Sequence, residues 1–434
     1  MVLENPWIHE WSIANLFAIS TEAHRANWQP VVLLSHTFDI WLFGYNPGPH
    51  HLVNLAFHVV NAYLIYCLTG LLIRRVRPES DGSIQWIAFL TAAIFVIHPQ
   101  HVESVAWVVE RKDVLYALFT LSCLITYVNV NSSGNASLSK QLLSFALFCV
   151  AIAAKPMAVT LPALLVFLDI YPLNKVPDLR GLMHSIFSKI HYWLVSAAVI
   201  IVTLSTQSMA MPGAESLPLW AKAINAVDNS VFYIYHYIWP VALSPFYPYP
   251  SDANLMLSPK FWAPGLAFLA LSTLSSFWLL SRGIRWPFVL LGFYLVTLLP
   301  VSGLIHVGPA KATDHYVYLA TIPFSLLTAM AMVTLYQRAE RFRFLSGFII
   351  VVYLGFLLAF CVPQVKVWNN HQTLWSRVLF IYPDSAFGHR NLAAAYVATK
   401  QWDKALWHAE RSLELGSPDE DYVIRLKAHL STLE

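Results

Sequence analysis

The densest chemistry in this chain lies in HPQHVESVAWVVERKD, His98 to Asp113, where two histidines and five acidic or basic residues crowd the join between two apolar runs. A helix beginning near Val102 puts Glu103, Trp107, Glu110 and Arg111 at i, i+4, i+7 and i+8, on one face. Ionisable groups at membrane depth face a cavity or one another and mark a functional path. The competing reading is a self-satisfied polar cluster that anchors a helix end. His98 and His101 have no third ligand at metal-binding spacing, so no metal is assigned. Lys155, followed by Pro156, interrupts another apolar stretch, either as a snorkelling amine at a turn or as a fixed cation for a lipid phosphate. Asp314-His315-Tyr316, with Lys311 and Tyr318 nearby, offers an acid, a proton carrier and phenols. SPFYPYP, Ser244 to Pro250, reads as a rigid interfacial loop or as a sugar-stacking platform. Cations for a leaving phosphate, a carboxylate to activate a hydroxyl and a water-poor cleft suit transfer of a sugar from a polyprenyl phosphate. Composition alone does not separate that from lipid transport, although a transporter calls for a polar path through the midplane, and here the polar residues gather at one face.

The elements that must position these groups are membrane helices. Hydrophobic residues make up 57% of the 434 and charged ones only 12%, about half the charged share of an ordinary soluble protein. The aromatics, 16 Trp, 20 Tyr and 26 Phe, suit belts at two membrane interfaces. A net charge of +3 leaves no footprint for nucleic acid. Ten apolar runs are candidate spans: His51 to Leu72, which His50, His51 and Asn54 open, Trp86 to Ile97, Ser104 to Tyr127, Leu142 to Ala154, Met157 to Ile170, Tyr192 to Thr206, Phe261 to Leu280, Pro287 to Leu304, Val317 to Tyr336 and Leu345 to Val362. The two runs around Lys155-Pro156 form either one kinked span or two. Four cysteines, Cys67, Cys123, Cys149 and Cys361, lie in apolar runs as small buried hydrophobes.

Arg74, Arg75 and Arg77, then Lys175, Arg180 and Lys189, then Arg282 and Arg285, then Arg338, Arg341 and Arg343 mark cytoplasmic connectors by the positive-inside rule. Alternation then places residues 1–50, the stretch 207–260, the loop 306–316 and the C-terminal tail on the outer side. The sequons at Asn131 and Asn135 fall in a cytoplasmic connector and are expected to stay unglycosylated. An outer N-terminus with no signal or span ahead of it leads to the expectation that a helix is missing upstream of Met1.

From Gln364 the composition changes: eight basic and eight acidic residues fall in the last 71, against nineteen and sixteen in the rest. Leu392, Ala393, Tyr396, Ala405 and Ala409 fit the 34-residue TPR helix pair, and His371, Trp375 and Pro383 stand one period before Ala405, Ala409 and Ser417. The tail reads as about one and a half repeats with residues 419–434 as a cap. One repeat cannot bury its own face, so it packs on a cap, on the membrane domain or on a partner.

HPQHVESVAWVVERKD, AAKPMAVTLPALLVFLDIYPL (Ala153 to Leu173), SPFYPYP, DHYVYL (Asp314 to Leu319) and the tail together resemble the transmembrane and TPR repeat-containing family of O-mannosyltransferases, over essentially the whole chain. The resemblance implies a GT-C fold of about eleven membrane helices, a dolichyl- or polyprenyl-phosphate sugar donor, with mannose as the sugar, and a protein hydroxyl as acceptor. It implies catalytic acids in an Asp-Asp pair of the first outer loop, shortly before an ENP-like stretch. This chain begins Met1-Val2-Leu3-Glu4-Asn5-Pro6, so the pair is expected upstream of Met1 and the chain as given is expected to be inactive or nearly so; Glu4 and Asp39 are poor substitutes by position. His315 stands where the family has the arginine of Asp-Arg-Tyr, and Gln29-Pro30 where it has Arg-Pro.

The assembled expectation is an all-α polytopic membrane bundle of the GT-C type with a short C-terminal TPR. Residues 1–50 are the remainder of the first outer loop, 51–363 a multi-span domain of about ten helices, and 364–434 the TPR-like domain. Glu103, Glu110 and Asp314 are the candidate catalytic residues. His98, His101, Arg111, Lys112, Lys155, His315 and Tyr316 are the candidate substrate-binding ones. No cofactor is implied beyond the lipid-linked sugar donor; the partners are the bilayer, that polyprenyl-phosphate sugar and a protein acceptor or partner met through the TPR. The few repeats resemble bacterial members, with an inner membrane and a periplasmic active side; in a eukaryote that side is the ER lumen. The competing class is a non-enzymatic scaffold whose TPR docks a partner, or a polyprenyl-lipid transporter.

Overall fold

The computed structural model describes residues 5–23, 28–77, 82–131, 137–210, 217–250, 252–304, 309–418 and 420–431, with only the backbone of 207–210 and 431. Expectations resting on Glu4, Asn135, His306 and Asp419 fall outside the described residues. Two short helices, α1 (Ile13–Thr21) and α2 (Pro30–Phe43), lead into the 30-residue α3 (Pro47–Val76). Asn46, whose side chain accepts the Gly48 N–H, and Pro47 at the first turn start α3. α4 (Ser83–Ile97) returns beside it and ends at His98-Pro99.

Beyond α4 the chain is broken repeatedly: a 3-10 turn at Pro99–His101, α5 (Val102–Ala106), a second 3-10 turn at Val108–Glu110, then α6 (Arg111–Val130). The expected single helix from Val102 is therefore two. Trp107, at φ −84° and ψ 105°, is extended and ends α5, so Glu103 and Glu110 do not share a helical face. α7 (Leu138–Ala154) stops at Lys155, whose φ −151° and ψ 126° are those a residue before proline prefers; a 3-10 turn at Pro156–Thr160 then leads into α8 (Leu161–Ile170). The two runs are thus separate helices.

α9 (Leu179–Phe187), α10 (Ile190–Ala210), α11 (Leu219–Ile238), α12 (Pro259–Ser281), α13 (Trp286–Leu298), α14 (Ile322–Arg338) and α15 (Arg343–Val367) complete the bundle. α11 lies inside the stretch expected as a loop. Its Asn225 and Asn229 are buried and donate to the Lys311 carbonyl at 3.3 and 3.2 Å. α12 crosses it closely at Gly265, where a Cβ would stand 2.0 Å from the Val227 carbonyl oxygen. α6 runs through the middle of the main core: its Val114, Leu121, Leu124 and Val128 pack with Phe148 of α7 and Leu161, Leu164 and Leu165 of α8. α12 and α15 instead leave apolar faces uncovered, with Phe344, Phe348, Val351 and Val352 exposed, a surface that lipid satisfies and water does not.

Among the described residues, four helical stretches are long and apolar enough to cross a membrane: Pro47–Val76, Val108–Val130, Pro259–Ser281 and Glu340–Val367. Two bent pairs, Ser83–Ile97 with Pro99–Ala106 at 55° and Leu179–Phe187 with Ile190–Thr206 at 62°, raise this to six. The ten expected spans are thus not all full-length crossings. Pro156 and Pro99 cut apolar runs into pieces too short to span alone, and Leu138–Ala154, Pro156–Ile170 and Trp286–Val301 stay under 18 residues.

SPFYPYP holds a short strand, β1 (Tyr247–Pro248), paired antiparallel with β2 (Ala310–Ala312). The tail is helical: α16 (His371–Ile381), started by a capping box between Asn370 and Thr373, then α17 (Ala386–Ala398), α18 (Trp402–Glu414) and α19 (Glu420–Ser431). Ala393, Ala405, Ala409, Val423 and Leu426 form its own small core. It also docks on the bundle, since Arg377 donates to the carbonyls of Leu243 and Val241, both at 3.1 Å, and Phe387 stacks on Phe246. The helix α15 runs past residue 363, the expected end of the membrane domain.

Candidate functional site

The helix breaks at Trp107 and Lys155 bring together side chains far apart in sequence. Glu103 reaches across to the 3-10 turn Asp314–Val317. Its Oε2 accepts the backbone N–H of Asp314 at 2.9 Å and of His315 at 3.2 Å, and its Oε1 stands 2.8 Å from His315 Nδ1. Glu110 Oε1 takes the Lys112 ammonium at 2.9 Å, and Glu110 Oε2 stands 3.7 Å from His315 Nε2. Asp113, in the first turn of α6, pairs with Lys155 through Oδ1 and accepts the Ser104 hydroxyl at 3.0 Å through Oδ2. Lys155 also lies over the Tyr316 ring, 5.8 Å from its centroid.

Asp314 receives the Tyr247 hydroxyl at 3.2 and 3.1 Å, so the β1–β2 pairing places a phenol on the acid. Glu103, Glu110, Asp113, Asp314, Lys155 and His315 are all buried, whereas the Lys112 side chain keeps 21% of its surface exposed at the rim. Burial pushes Asp314 up to about 8, against the lowering effect of the Tyr247 hydroxyl, so this carboxyl stays protonated at neutral pH. Burial likewise lowers His315 to about 3, although Glu110 opposes it, so its ring is neutral.

Arg111 turns elsewhere. Fully buried, it donates from Nε to Asn54 Oδ1 at 2.8 Å and from Nη2 to the His50 carbonyl at 2.9 Å, reaches Ser35 Oγ at 3.2 Å through Nη1, and pairs with Asp39. It fastens the start of α6 to α2 and α3, and it makes no contact with the Glu103 group.

His98 and His101 belong to another wall. His98 stacks on Tyr237 with ring centroids 4.3 Å apart, and its Nε2 is 2.9 Å from the Tyr237 carbonyl oxygen. His101 is held by the Phe95 carbonyl at 2.7 Å and Thr321 Oγ1 at 2.8 Å. With His51, His58 and Trp368 they line a separate cavity of about 400 Å3. The sequence reading also passed over Asp113 and Tyr247, although both lie inside quoted motifs. What could have flagged them is their partners: Lys155 is a buried cation that needs a carboxylate, and Asp314 a buried carboxyl that needs a donor.

Among the described residues, two buried groups have ligating atoms within 4.8 Å of one another and so could hold a metal ion: Glu110, Asp113 and His315, and His36, Asp39 and His50. In the second, the Arg111 guanidinium already sits on the single carboxylate.

The helical bundle and its lipid-suited apolar faces make this a multi-pass helical membrane protein. Its homologues over most of the chain are the TMTC protein O-mannosyl-transferases. Protein O-mannosyl-transferase TMTC4 of Mus musculus is 23% identical over 429 residues, covering 89% of this chain and 57% of the relative. TMTC1 of Homo sapiens is 25% identical over 341 residues, 76% of this chain and 35% of its own. TMTC3 of Mus musculus is 22% identical over 430 residues, 89% and 44%. The chain thus spans about half the length of the curated relatives it matches. No family model and no solved structure matches it.

Proposed function

We propose that the chain is a membrane glycosyltransferase of the GT-C type that moves a sugar, mannose in the reading of its relatives' names, from a polyprenyl- or dolichyl-phosphate donor to a protein hydroxyl. The acceptor oxygen attacks C1 of the sugar, the bond from C1 to the phosphate oxygen breaks, polyprenyl phosphate leaves with the bonding pair, and a carboxylate takes the hydroxyl proton. The observation that carries this reading is the buried meeting of Lys155, Lys112, Glu110, Asp113 and His315 at helix breaks beside an apolar bundle. Ammonium groups in such water-poor surroundings are suited to a lipid phosphate, because charge is poorly screened there.

In this reading Lys112 and Lys155 serve the leaving phosphate. Glu103 is a positioning residue that holds the turn carrying Asp314 and His315, and Asp314 is a neutral acid held by Tyr247. The donor side is tested on its own. The active side is the outer face, periplasmic in a bacterium, and the tail is a TPR-type surface for the acceptor protein or another partner.

The test is binding of a polyprenyl-phosphate mannose to the purified chain in nanodiscs, wild type against Lys112→Ala, which removes the more exposed of the two ammonium groups. Affinity about ten-fold weaker in the variant is expected, the worth of a charge-assisted hydrogen bond. Equal binding by the two proteins removes the phosphate assignment.

A further inference from the structure

We infer that Glu110, Asp113 and His315 form a divalent-cation site of one imidazole and two carboxylates. Their ligating atoms lie within 4.8 Å of one another, and all three residues are buried. Beside that grouping, one buried oxygen points to a cation. Glu110 Oε2 is buried with no hydrogen-bond partner, an expensive state for a carboxylate oxygen. It also faces His315 Nε2 at 3.7 Å. Glu103 Oε2 accepts two backbone N–H groups, and its Oε1 stands 2.8 Å from His315 Nδ1, which fixes the ring so that Nε2 points at Glu110 Oε2.

Two acceptors aimed at each other are reconciled by a positive ion between them. Two ligand atoms each ~2.1 Å from a tetrahedral metal lie roughly 3.4 Å apart, close to the spacing here. Glu103, His315 and the ion would make the carboxylate–histidine–metal arrangement that fixes a ligand's tautomer. In the competing group of His36, Asp39 and His50, the Arg111 guanidinium already sits on the one carboxylate.

Mixed imidazole and carboxylate ligands suit a first-row ion such as Mn2+ or Zn2+ better than Mg2+, which prefers oxygen. Beside Lys112 and Lys155, the ion would meet the phosphate of a lipid-linked donor. That use rests on the transferase reading, whereas the site itself does not.

The probe is MnCl2, titrated by EPR into the purified chain without any donor. One Mn2+ per chain is expected, with affinity at least ten-fold weaker in Glu110→Gln and in His315→Ala, and about 10–100-fold weaker in Glu103→Gln, the range for lost outer-shell partners. His315→Arg sets a fixed cation in the same place and is expected to abolish binding. Wild-type protein that takes up no Mn2+, or takes it up as weakly as Glu110→Gln, overturns the site. If a variant fails to fold, the wild-type stoichiometry and the nitrogen hyperfine coupling of one bound imidazole decide alone. Mn2+ bound with no effect on polyprenyl-phosphate mannose affinity leaves the site standing and separates it from the donor reading.

Discussion

Trp107 and Trp368 stack with ring centroids 5.6 Å apart and planes 25° from parallel, joining the residue that breaks the site helix to the residue that follows α15. The same Trp107 ring meets His315 edge-on at 6.2 Å. The start of the tail is therefore one side chain away from the buried site.

Trp368→Ala is expected to loosen Trp107. An aromatic pair of this kind contributes about 0.5–1.5 kcal/mol beyond its area. Binding of the lipid-linked sugar should weaken by about two- to ten-fold, with a small drop in melting temperature. Unchanged binding would show that the tail and the pocket act independently.

Arg111→Ala should be far more damaging. It leaves Asp39 buried without its guanidinium partner, a loss of about 3–5 kcal/mol. Arg111→Lys should restore little, because a point charge cannot reach Asp39, Asn54, Ser35 and the His50 carbonyl together. Fluorescence-detected size-exclusion after heating reads both, and a lysine variant as stable as wild type would refute the latch.

Lys155→Met alone strands Asp113, which is 1% exposed, while Lys155→Met with Asp113→Asn removes both charges. The double variant is expected to melt well above the single one, since an unpaired buried charge is worse than no pair. Equal melting temperatures would mean that the two groups do not depend on each other.

Acid should weaken the tail. Burial first, and then the neighbouring His389, lower His408 to about 4, and the two rings face each other with Nδ1 atoms 2.9 Å apart. Asp384 and Arg411 act on His389, and Glu410 and Glu414 line the same cavity as the two rings. The unfolded ring, at its ordinary 6.5, binds more protons than the folded one, so this stability is complete above about 6.5 and falls as pH drops toward 4. Hydrogen exchange of α17 and α18, corrected for intrinsic rates, should show less protection at pH 5 than at pH 7.5. His408→Phe, stacked on Tyr396 as the histidine is, should flatten that difference.

The sequence carried the membrane class and the helical tail, and it marked an interruption at Lys155-Pro156 without deciding between a kink and two helices, because each rests on local physics: apolar length, small-residue spacing and the restraint before proline. The break at Trp107 has no such mark, since no glycine or proline lies between Val102 and Asp113. It follows from Glu103 reaching the Asp314–Val317 turn, a contact across more than two hundred residues. α11 escaped notice because Lys222, Asn225, Asp228 and Asn229 lower its apolar run, and their partners around Lys311 are visible only after folding. Arg111 read as a cleft residue by proximity to Glu110, yet adjacent residues at a helix start diverge, and its partners come from α2 and α3.

Phe246 and Tyr247 are neighbours in an extended segment, so their side chains leave the backbone on opposite sides, the first to Phe387 of the tail and the second to Asp314. The pair works as a rocker with one arm outside and one inside. A single residue inserted between them would send both side chains to the same side, so that either the tail loses its ring or the acid its phenol, without altering any helix.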